Sequence, residues 1–364
     1  MLPDSRLEHE ELLVRRGARS GLACIVAVHS TVRGPSLGGC RLWSYSSVDD
    51  AVADALRLSR AMTFKSAAAG LPLGGGKGVI MVRAGEPLSP RRRHDALLDF
   101  ADAVETVGGR YITAEDVGTS SRDMSLIATR TAHVAGLARV HGGSGDPSPL
   151  TALGVVEAIL ATCRRRFGEP GLRGRLVSVV GLGHVGSRVA RMCAAHGARL
   201  IVSDVEPGRR ALAEQLGARW MEPARALVAR VDLLAPCALG GILDERSVPR
   251  LRCSAIAGAA NNQLAEDGVA DMLRERGILW APDFVANAGG VINIAQELNG
   301  YDARAARAAV RRIGDTLGEV FTRADDADTS PLAAAMDLAR GRLVAVKPRV
   351  SAGPAGPVNP AAAR

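Results

Sequence analysis

The sequence predicts an α/β protein of two domains, the second built on a doubly wound parallel sheet. Three observations lead there. At 364 residues the chain is long enough for two cores. A run of breakers, Gly142-Gly143-Ser144-Gly145-Asp146-Pro147-Ser148-Pro149, interrupts it as a hinge between domains would. Beyond that run, short apolar stretches alternate with helical patterns, as in a parallel sheet covered by helices on both faces.

The elements follow in order. Residues 23–30 are rich in β-formers and end in turn residues, so they read as a strand. Residues 34–39 read as a loop. Residues 49–60 read as a helix, with apolar residues at 52, 55, 56 and within 58 to 62 and two acidic residues opening it at the favoured end of the dipole. A short strand is expected over 78–82, a helix over 91–107 and a strand over 109–114. The last of these runs into Glu115 and Asp116, placing carboxylates at a strand's C-terminal end. After the breakers a helix is expected from 150 to 173, then strands at 176–180, 200–203, 233–235 and 255–257. The chain beyond about residue 300 reads as helical, and beyond Pro348 as a disordered Gly/Pro/Ala tail.

Bulk properties exclude several classes. Apolar residues make up 47% and charged residues 23%, ordinary values for a globular enzyme. The net charge of +8 does not signal nucleic acid, because the arginines are scattered and the runs at 91–93 and 164–166 lack interleaved aromatics. No run has membrane-spanning length and the first residues are polar, so a cytoplasmic protein is expected. Cys24, Cys40, Cys163, Cys193, Cys237 and Cys253 form no C-x-x-C pair and no His/Cys cluster, so they read as reduced core thiols with no metal site. His29, His133, His141 and His196 have no partner identifiable from sequence.

Lysine usage is the sharpest chemical signal. Of 46 basic residues only Lys65, Lys77 and Lys347 are lysine. Arginine can replace a surface charge, but it cannot give up a proton at working pH. Lys65 and Lys77 share the small, apolar, glycine-rich stretch Lys65-Ser66-Ala67-Ala68-Ala69-Gly70-Leu71-Pro72-Leu73-Gly74-Gly75-Gly76-Lys77-Gly78. Desolvation and a neighbouring ammonium both lower a lysine pKa, as a catalytic base requires.

A second signal is Gly181-Leu182-Gly183-His184-Val185-Gly186, which follows a clean strand and opens a helix. In that context G-x-G-x-x-G lets the backbone approach a pyrophosphate at the helix N-terminus. Asp204 closes the next strand, where a carboxylate accepts from a ribose 2′-hydroxyl and repels a 2′-phosphate. The expected cofactor is therefore NAD, with Arg209 and Arg210 nearby leaving NADP open.

With these residues in view, the chain resembles the leucine/phenylalanine/valine dehydrogenases, amino-acid dehydrogenases related to glutamate dehydrogenase. The resemblance rests on Leu37-Gly38-Gly39-Cys40-Arg41, the stretch 65–80, Thr113 to Thr119, Gly145-Asp146-Pro147-Ser148 with Thr151-Ala152, the Gly181 motif, Ala235-Pro236-Cys237-Ala238, Ala257 to Leu264, and Pro282 to Val291. These fall in order between about residues 20 and 345. The chain departs from the pattern in a short N-terminus, in Pro72, and in Cys40 where threonine is often found.

The resemblance implies a front substrate-binding and oligomerisation domain with a mixed sheet over 1–145, rejoined by about 330–347. It implies a Rossmann-type NAD-binding domain over 146–329. It implies reversible oxidative deamination of an L-amino acid to a 2-oxo acid and ammonia, by a homo-oligomer. In that reading Lys77 is the catalytic base and Asp116 the proton carrier. Lys65 anchors the α-carboxylate, Gly38 and Gly39 lie against the ligand, and Asn262 holds substrate or ribose. Val291 and Ile294 form the side-chain pocket, which suits a branched-chain substrate and leaves aromatic ones open. On the cofactor side stand Ser148 and Thr151 at the nicotinamide end, Asn287 at its carboxamide, the loop 181–186, Asp204, Val205, Arg41, Ala238, Ala260 and Asn261. A non-catalytic NAD-binding regulator on the same scaffold is the alternative of another class. Both lysines and Asp116 argue against it.

Overall fold

The computed structural model describes residues 8–345, so the tail expected beyond Pro348 lies outside the described residues. Two sheets organise the chain. The first contains β1 (Glu11–Arg16), β2 (Ala23–Ser30), β3 (Ser36–Tyr45), β4 (Gly74–Arg83) and β5 (Tyr111–Glu115), in the order β1-β2-β4-β3-β5. It is mixed: β1, β2 and β4 pair antiparallel, whereas β3 runs parallel to both β4 and β5. Helix α1 (Val48–Ala68) buries Ala51, Val52, Ala55 and Leu56 with Ile25, Val79 and Met81 of the sheet. Helices α2 (Pro90–Thr106) and α3 (Ser121–Ile127) cover the other face through Phe100, Val104 and Met124.

The second sheet contains β6 (Leu176–Val180), β7 (Arg199–Ser203), β8 (Arg219–Trp220), β9 (Val231–Pro236), β10 (Cys253–Ile256) and β11 (Leu279–Trp280). Its order is β11-β10-β9-β6-β7-β8, with every pairing parallel. The sheet winds outward in both directions from β6, so a switch point lies beyond the C-terminal ends of β6 and β9, where such sheets bind ligands. The helices are α4 (Ser148–Phe167), α5 (Gly186–Ala195), α6 (Arg210–Gln215), α7 (Pro223–Leu227), α8 (Val269–Glu275), α9 (Asp283–Ala286), α10 (Gly289–Ala295), α11 (Ala303–Arg311), α12 (Ile313–Asp326) and α13 (Pro331–Val344).

The last helices return to the first sheet. α13 packs on α1, and Arg342 and Arg33 donate to the carbonyls of Ala68 and Leu71 at the end of α1. One buried cluster runs from Leu37 and Ala67 through α4 to Phe321 and Leu338, so the core is continuous across the hinge. The hinge segment itself is pinned by Glu297, whose carboxylate accepts from the amides of Gly136 (2.9 Å) and Ser144 (2.7 Å).

Three sequence expectations change. The loop at 34–39 is strand from Ser36 onward, so Gly38 and Gly39 lie inside β3. Glycine there signals crowding, because a Cβ on Gly38 would sit 1.7 Å from the Gly76 carbonyl oxygen. The first helix runs to Ala68 rather than 60, since nothing from 61 to 69 breaks it and Gly70, at φ +69°, ends it. The helix expected to reach 173 stops at Phe167, where Gly168 takes the left-handed cap.

All six cysteines are free. Burial pushes Cys163 and Cys253 up to about 11, so these thiols stay neutral. His29, for which the sequence offered no partner, bonds Thr63 Oγ1 through Nδ1 at 2.9 Å and meets His9 edge-on at 4.8 Å. Among the described residues no helix is long and apolar enough to cross a membrane.

Candidate active site

A cleft of about 590 Å³ opens between the two sheets. The alternation of β4 builds its floor. Gly76 and Gly78 face the rings of Tyr111 and Phe100 on one side of the sheet. Lys77 therefore projects to the other side, the α1 side, into the cleft. It is 5% exposed, yet its Nζ donates to Asp116 Oδ2 at 2.5 Å.

Asp116 follows β5, and its approach to β3 depends on Gly39. A Cβ at Gly39 would lie 2.6 Å from the Asp116 Cβ. Thr119 fixes the turn, accepting from the Asp116 amide at 3.0 Å and donating to the Cys40 carbonyl at 2.8 Å. Arg41 Nε also donates to Asp116 Oδ2, at 2.9 Å, and Arg41 Nη1 reaches Asp54 Oδ2 at 2.9 Å. Burial alone would raise the Asp116 carboxyl. The cations of Lys77 and Arg41 outweigh it and hold the group below the usual carboxylate range. Burial pushes the Lys77 ammonium down; Asp116 opposes that shift and Arg41 adds to it. Arg41, expected on the cofactor side, is thus placed on the front sheet and ion-paired on two sides. Its guanidinium is committed to Asp116 and Asp54.

Lys65 sits in the last turn of α1, facing the same cleft. Its Nζ donates to Asn261 Oδ1 at 3.3 Å, linking the two sheets. Burial pushes its pKa down to about 8, with Asp283 opposing and Lys77 reinforcing the shift. The wall between the lysines and α10 is apolar. Val291 and Ile294 line it from α10 as expected, and Leu58, Ala61 and Met62 line it from α1. The sequence reading missed these three. Their spacing with Lys65 is that of one helix face; Leu58 lies within the helix expected over 49–60, whereas Ala61, Met62 and Lys65 lie beyond its expected end.

The glycine loop stands at the end of β6. Gly181 adopts φ +100°, and a Cβ there would press 2.6 Å against Ala238. A Cβ at Gly186 would meet the Gly181 carbonyl at 1.9 Å, whereas Gly183 faces open space. Asp204 ties the loop down: Oδ2 accepts from the Leu182 amide at 2.6 Å and Oδ1 from the Glu206 amide at 2.9 Å. Each oxygen keeps a lone pair for a further donor. Val205 beside it is 87% exposed. The His184 side chain is exposed and does not line the cleft, while Val185 does.

At the mouth of the cleft, the Ser148 amide donates to Asp146 Oδ1 (2.8 Å) and Thr151 Oγ1 to the Pro147 carbonyl (3.0 Å). The Asn287 amide donates to Asn261 Oδ1 at 2.8 Å and to the Ala259 and Ala260 carbonyls at 3.2 and 3.4 Å. Its Oδ1 is buried without a hydrogen-bond partner. Asn262, with φ +50°, lines the cleft in a left-handed conformation. The site therefore joins a buried Lys77–Asp116 ion pair, a second ammonium of lowered pKa, an apolar wall and a glycine-lined helix entrance.

Comparison with known proteins places this geometry. Residues 9–133 match the Glu/Leu/Phe/Val dehydrogenase dimerisation domain, and residues 208–339 match the Glutamate/Leucine/Phenylalanine/Valine dehydrogenase family. Residues 160–238 match the NAD-binding domain of D-isomer-specific 2-hydroxyacid dehydrogenases. The chain is 43% identical to leucine dehydrogenase of Thermoactinomyces intermedius over 319 residues, 87% of this chain and 86% of that one. It is 42% identical to valine dehydrogenase of Streptomyces virginiae over 339 residues, 92% and 94% of the two chains. The crystal structure of L-tryptophan dehydrogenase from Nostoc punctiforme superposes with a TM-score of 0.81 at 38% identity, covering 93% of this chain and 96% of that one.

Proposed function

The chain belongs to the Glu/Leu/Phe/Val dehydrogenase family, and from that premise we propose how its site performs NAD-dependent, reversible oxidative deamination of a branched-chain L-amino acid. The observation that carries the reading is the Lys77–Asp116 pair, at 2.5 Å in a cleft whose far wall is aliphatic. Lys77, Lys65 and Arg41 are the cations that line the cleft; two of them are ion-paired, and Lys65 is the one suited to an α-carboxylate. That leaves no cation for a second carboxylate, which disfavours acidic substrates.

NAD fits the residues present. The open face at Gly183 and the helix start behind it suit a pyrophosphate. The free lone pairs of Asp204 suit a ribose diol, and the unpartnered Asn287 Oδ1 suits an amide N–H such as the carboxamide's. When bound, NAD accepts the hydride lost from the substrate's Cα.

The chain's own groups handle the protons. Lys65 holds the α-carboxylate by charge. Lys77, uncharged, takes a proton from water as its oxygen attacks the imino carbon, giving a carbinolamine. Asp116 takes a proton from the substrate ammonium before the hydride leaves and returns it to the carbinolamine nitrogen; ammonia then leaves as the carbonyl forms, the hydroxyl proton passing to Lys77 once Lys77 has released the first to solvent. Val291, Ile294, Leu58 and Met62 receive the side chain and exclude water. Measuring NAD reduction across the twenty L-amino acids tests this. Leucine, valine and isoleucine should give kcat/KM values at least tenfold above phenylalanine and tryptophan, about what one or two methylenes of misfit discriminate. An aromatic preference would transfer the enzyme to the tryptophan-type reading.

Asp204 should set the cofactor. Asp204→Ser is expected to lower the NAD-over-NADP ratio of kcat/KM roughly tenfold or more, because a 2′-phosphate no longer meets a carboxylate. A wild-type enzyme that prefers NADP would instead assign the phosphate to Arg209 or Arg210.

Self-association and setting complete the proposal. The dimerisation-domain match over 9–133 and the open edge of β1, with Val14 47% exposed, support a homo-oligomer built through the front sheet. Six free thiols support a reducing, cytoplasmic setting. The division into a front unit over 1–145, rejoined near 330, and a rear unit over 146–329 is supported by the two sheets and by α13 lying on α1.

A further inference from the structure

We infer that Arg41, clamped by Asp54 and Tyr45, is a positioning residue that orients Asp116 and sets the charge balance of the Lys77–Asp116 pair. The inference rests on the roles proposed above for those two residues. Its basis is a chain of contacts running from the surface of α1 into the cleft.

Asp54 on α1 is the hub. It accepts from Tyr45 Oη at 2.7 Å, from Arg57 at 2.8 Å through Oδ1, and from Arg41 Nη1 at 2.9 Å. Arg41 then turns its Nε onto Asp116 Oδ2, the same oxygen that takes Lys77. Among the described residues no hydrogen bond reaches Asp116 Oδ1. Both cations thus pull on one oxygen and leave the other facing the cleft for the substrate nitrogen. A planar guanidinium held at two of its nitrogens fixes a carboxylate's rotation, which a lysine ammonium cannot do. Asp54 does not line the cleft, and of its hydrogen-bond partners Arg41, Tyr45 and Arg57 only Arg41 touches the pair.

The charge effects follow the same geometry. Arg41 stabilises the Asp116 carboxylate and disfavours the Lys77 ammonium, so it favours the neutral lysine that attacks through water. The other titratable groups around the pair are Lys65 on α1, Glu115 on β5 and Asp283 on α9, with Cys40 on β3 and Tyr111 on β5 packed on the opposite face of the sheet. Tyr111 and Cys40 are fully buried and held neutral, so they add no charge. Asp283 offsets Lys65. Arg41 is the cation in direct contact with the pair.

The test is the pH dependence of kcat/KM for deamination in Arg41→Gln, Arg41→Lys and Asp54→Asn, with Lys77→Arg as reference. In Arg41→Gln the ascending limb should move to higher pH by roughly one unit, since one neighbouring charge shifts a pKa by that order. Its kcat should fall roughly tenfold to a hundredfold, as a slightly misplaced carboxylate predicts. Arg41→Lys should restore the limb and leave kcat low. Asp54→Asn, which changes no atom of the cleft, should lower kcat and move the limb toward acid, because Arg41 loses its counter-charge. If Arg41→Gln does not fold, the two milder variants decide by the same signs. Unchanged profiles together with a raised KM for NAD would return Arg41 to the cofactor and overturn the inference. Unchanged profiles with a dead Lys77→Arg would sink this inference alone; an active Lys77→Arg would sink the reading beneath it.

Discussion

Lys77→Arg should bind NAD and fold like the wild type, yet lose turnover by a factor on the order of 10²–10⁴, the range that general acid–base groups contribute. The reason is the proton rather than the charge. Lys77 is held in a slot where burial favours its neutral form, flanked by glycines and 2.5 Å from Asp116. Arginine keeps the cation and the ion pair but cannot act as a base. Lys77→Met keeps the stem, removes the base, and guards against the bulk of arginine being the cause. Both should be inactive. Circular dichroism and NAD quenching of Trp fluorescence check that fold and cofactor site survive. An arginine variant turning over at a rate near wild type would remove Lys77 from the chemistry.

Lys77 stands out in the sequence for a physical reason. A chain that puts arginine almost everywhere makes its few lysines conspicuous, so composition points to 65 and 77, and both line the cleft. The glycine loop was legible because strand, turn and helix are contiguous and each obeys a local rule. What stayed hidden depends on distant partners. Gly38 and Gly39 looked like a loop because glycine usually marks turns. Their reason is the backbone of Gly76 and the side chain of Asp116, far along the chain. Arg41 looked like a cofactor contact because nothing local reveals that its partner is Asp116, 75 residues away. The helix face of Leu58, Ala61, Met62 and Lys65 extends past residue 60 because nothing in the Ala-rich end of α1 stops the helix before Gly70. Asn261 and Asn287 lie 26 residues apart, and only the fold joins them to Lys65.

Lys65 carries the second large effect. Removing it in Lys65→Ala should weaken 2-oxo acid binding by about 2–4 kcal/mol, roughly 30- to 1000-fold in KM, because a buried carboxylate loses its charge partner. NAD binding should not change. The pH dependence makes the test sharper. With its pKa pushed down to about 8, free Lys65 is half-deprotonated near that pH. A carboxylate binds the ammonium, so above about 8 binding must first take up a proton, and KM for the 2-oxo acid should rise up to tenfold per pH unit. The 2-oxo acid is the right probe, since its own carboxylate does not titrate there. The sign for stability is set by the same proton. The folded pKa lies below the unfolded value of about 10.4, so the unfolded chain binds more protons between them. Stability of the ligand-free protein should therefore rise with pH across that window, and bound 2-oxo acid should flatten the rise. Lys65→Arg, charged throughout, should give a KM that does not climb above pH 8, and Lys65→Ala a high KM at every pH. A wild-type KM that stays level through about pH 10, or an alanine variant with unaltered KM, would leave the α-carboxylate to be held elsewhere in the cleft.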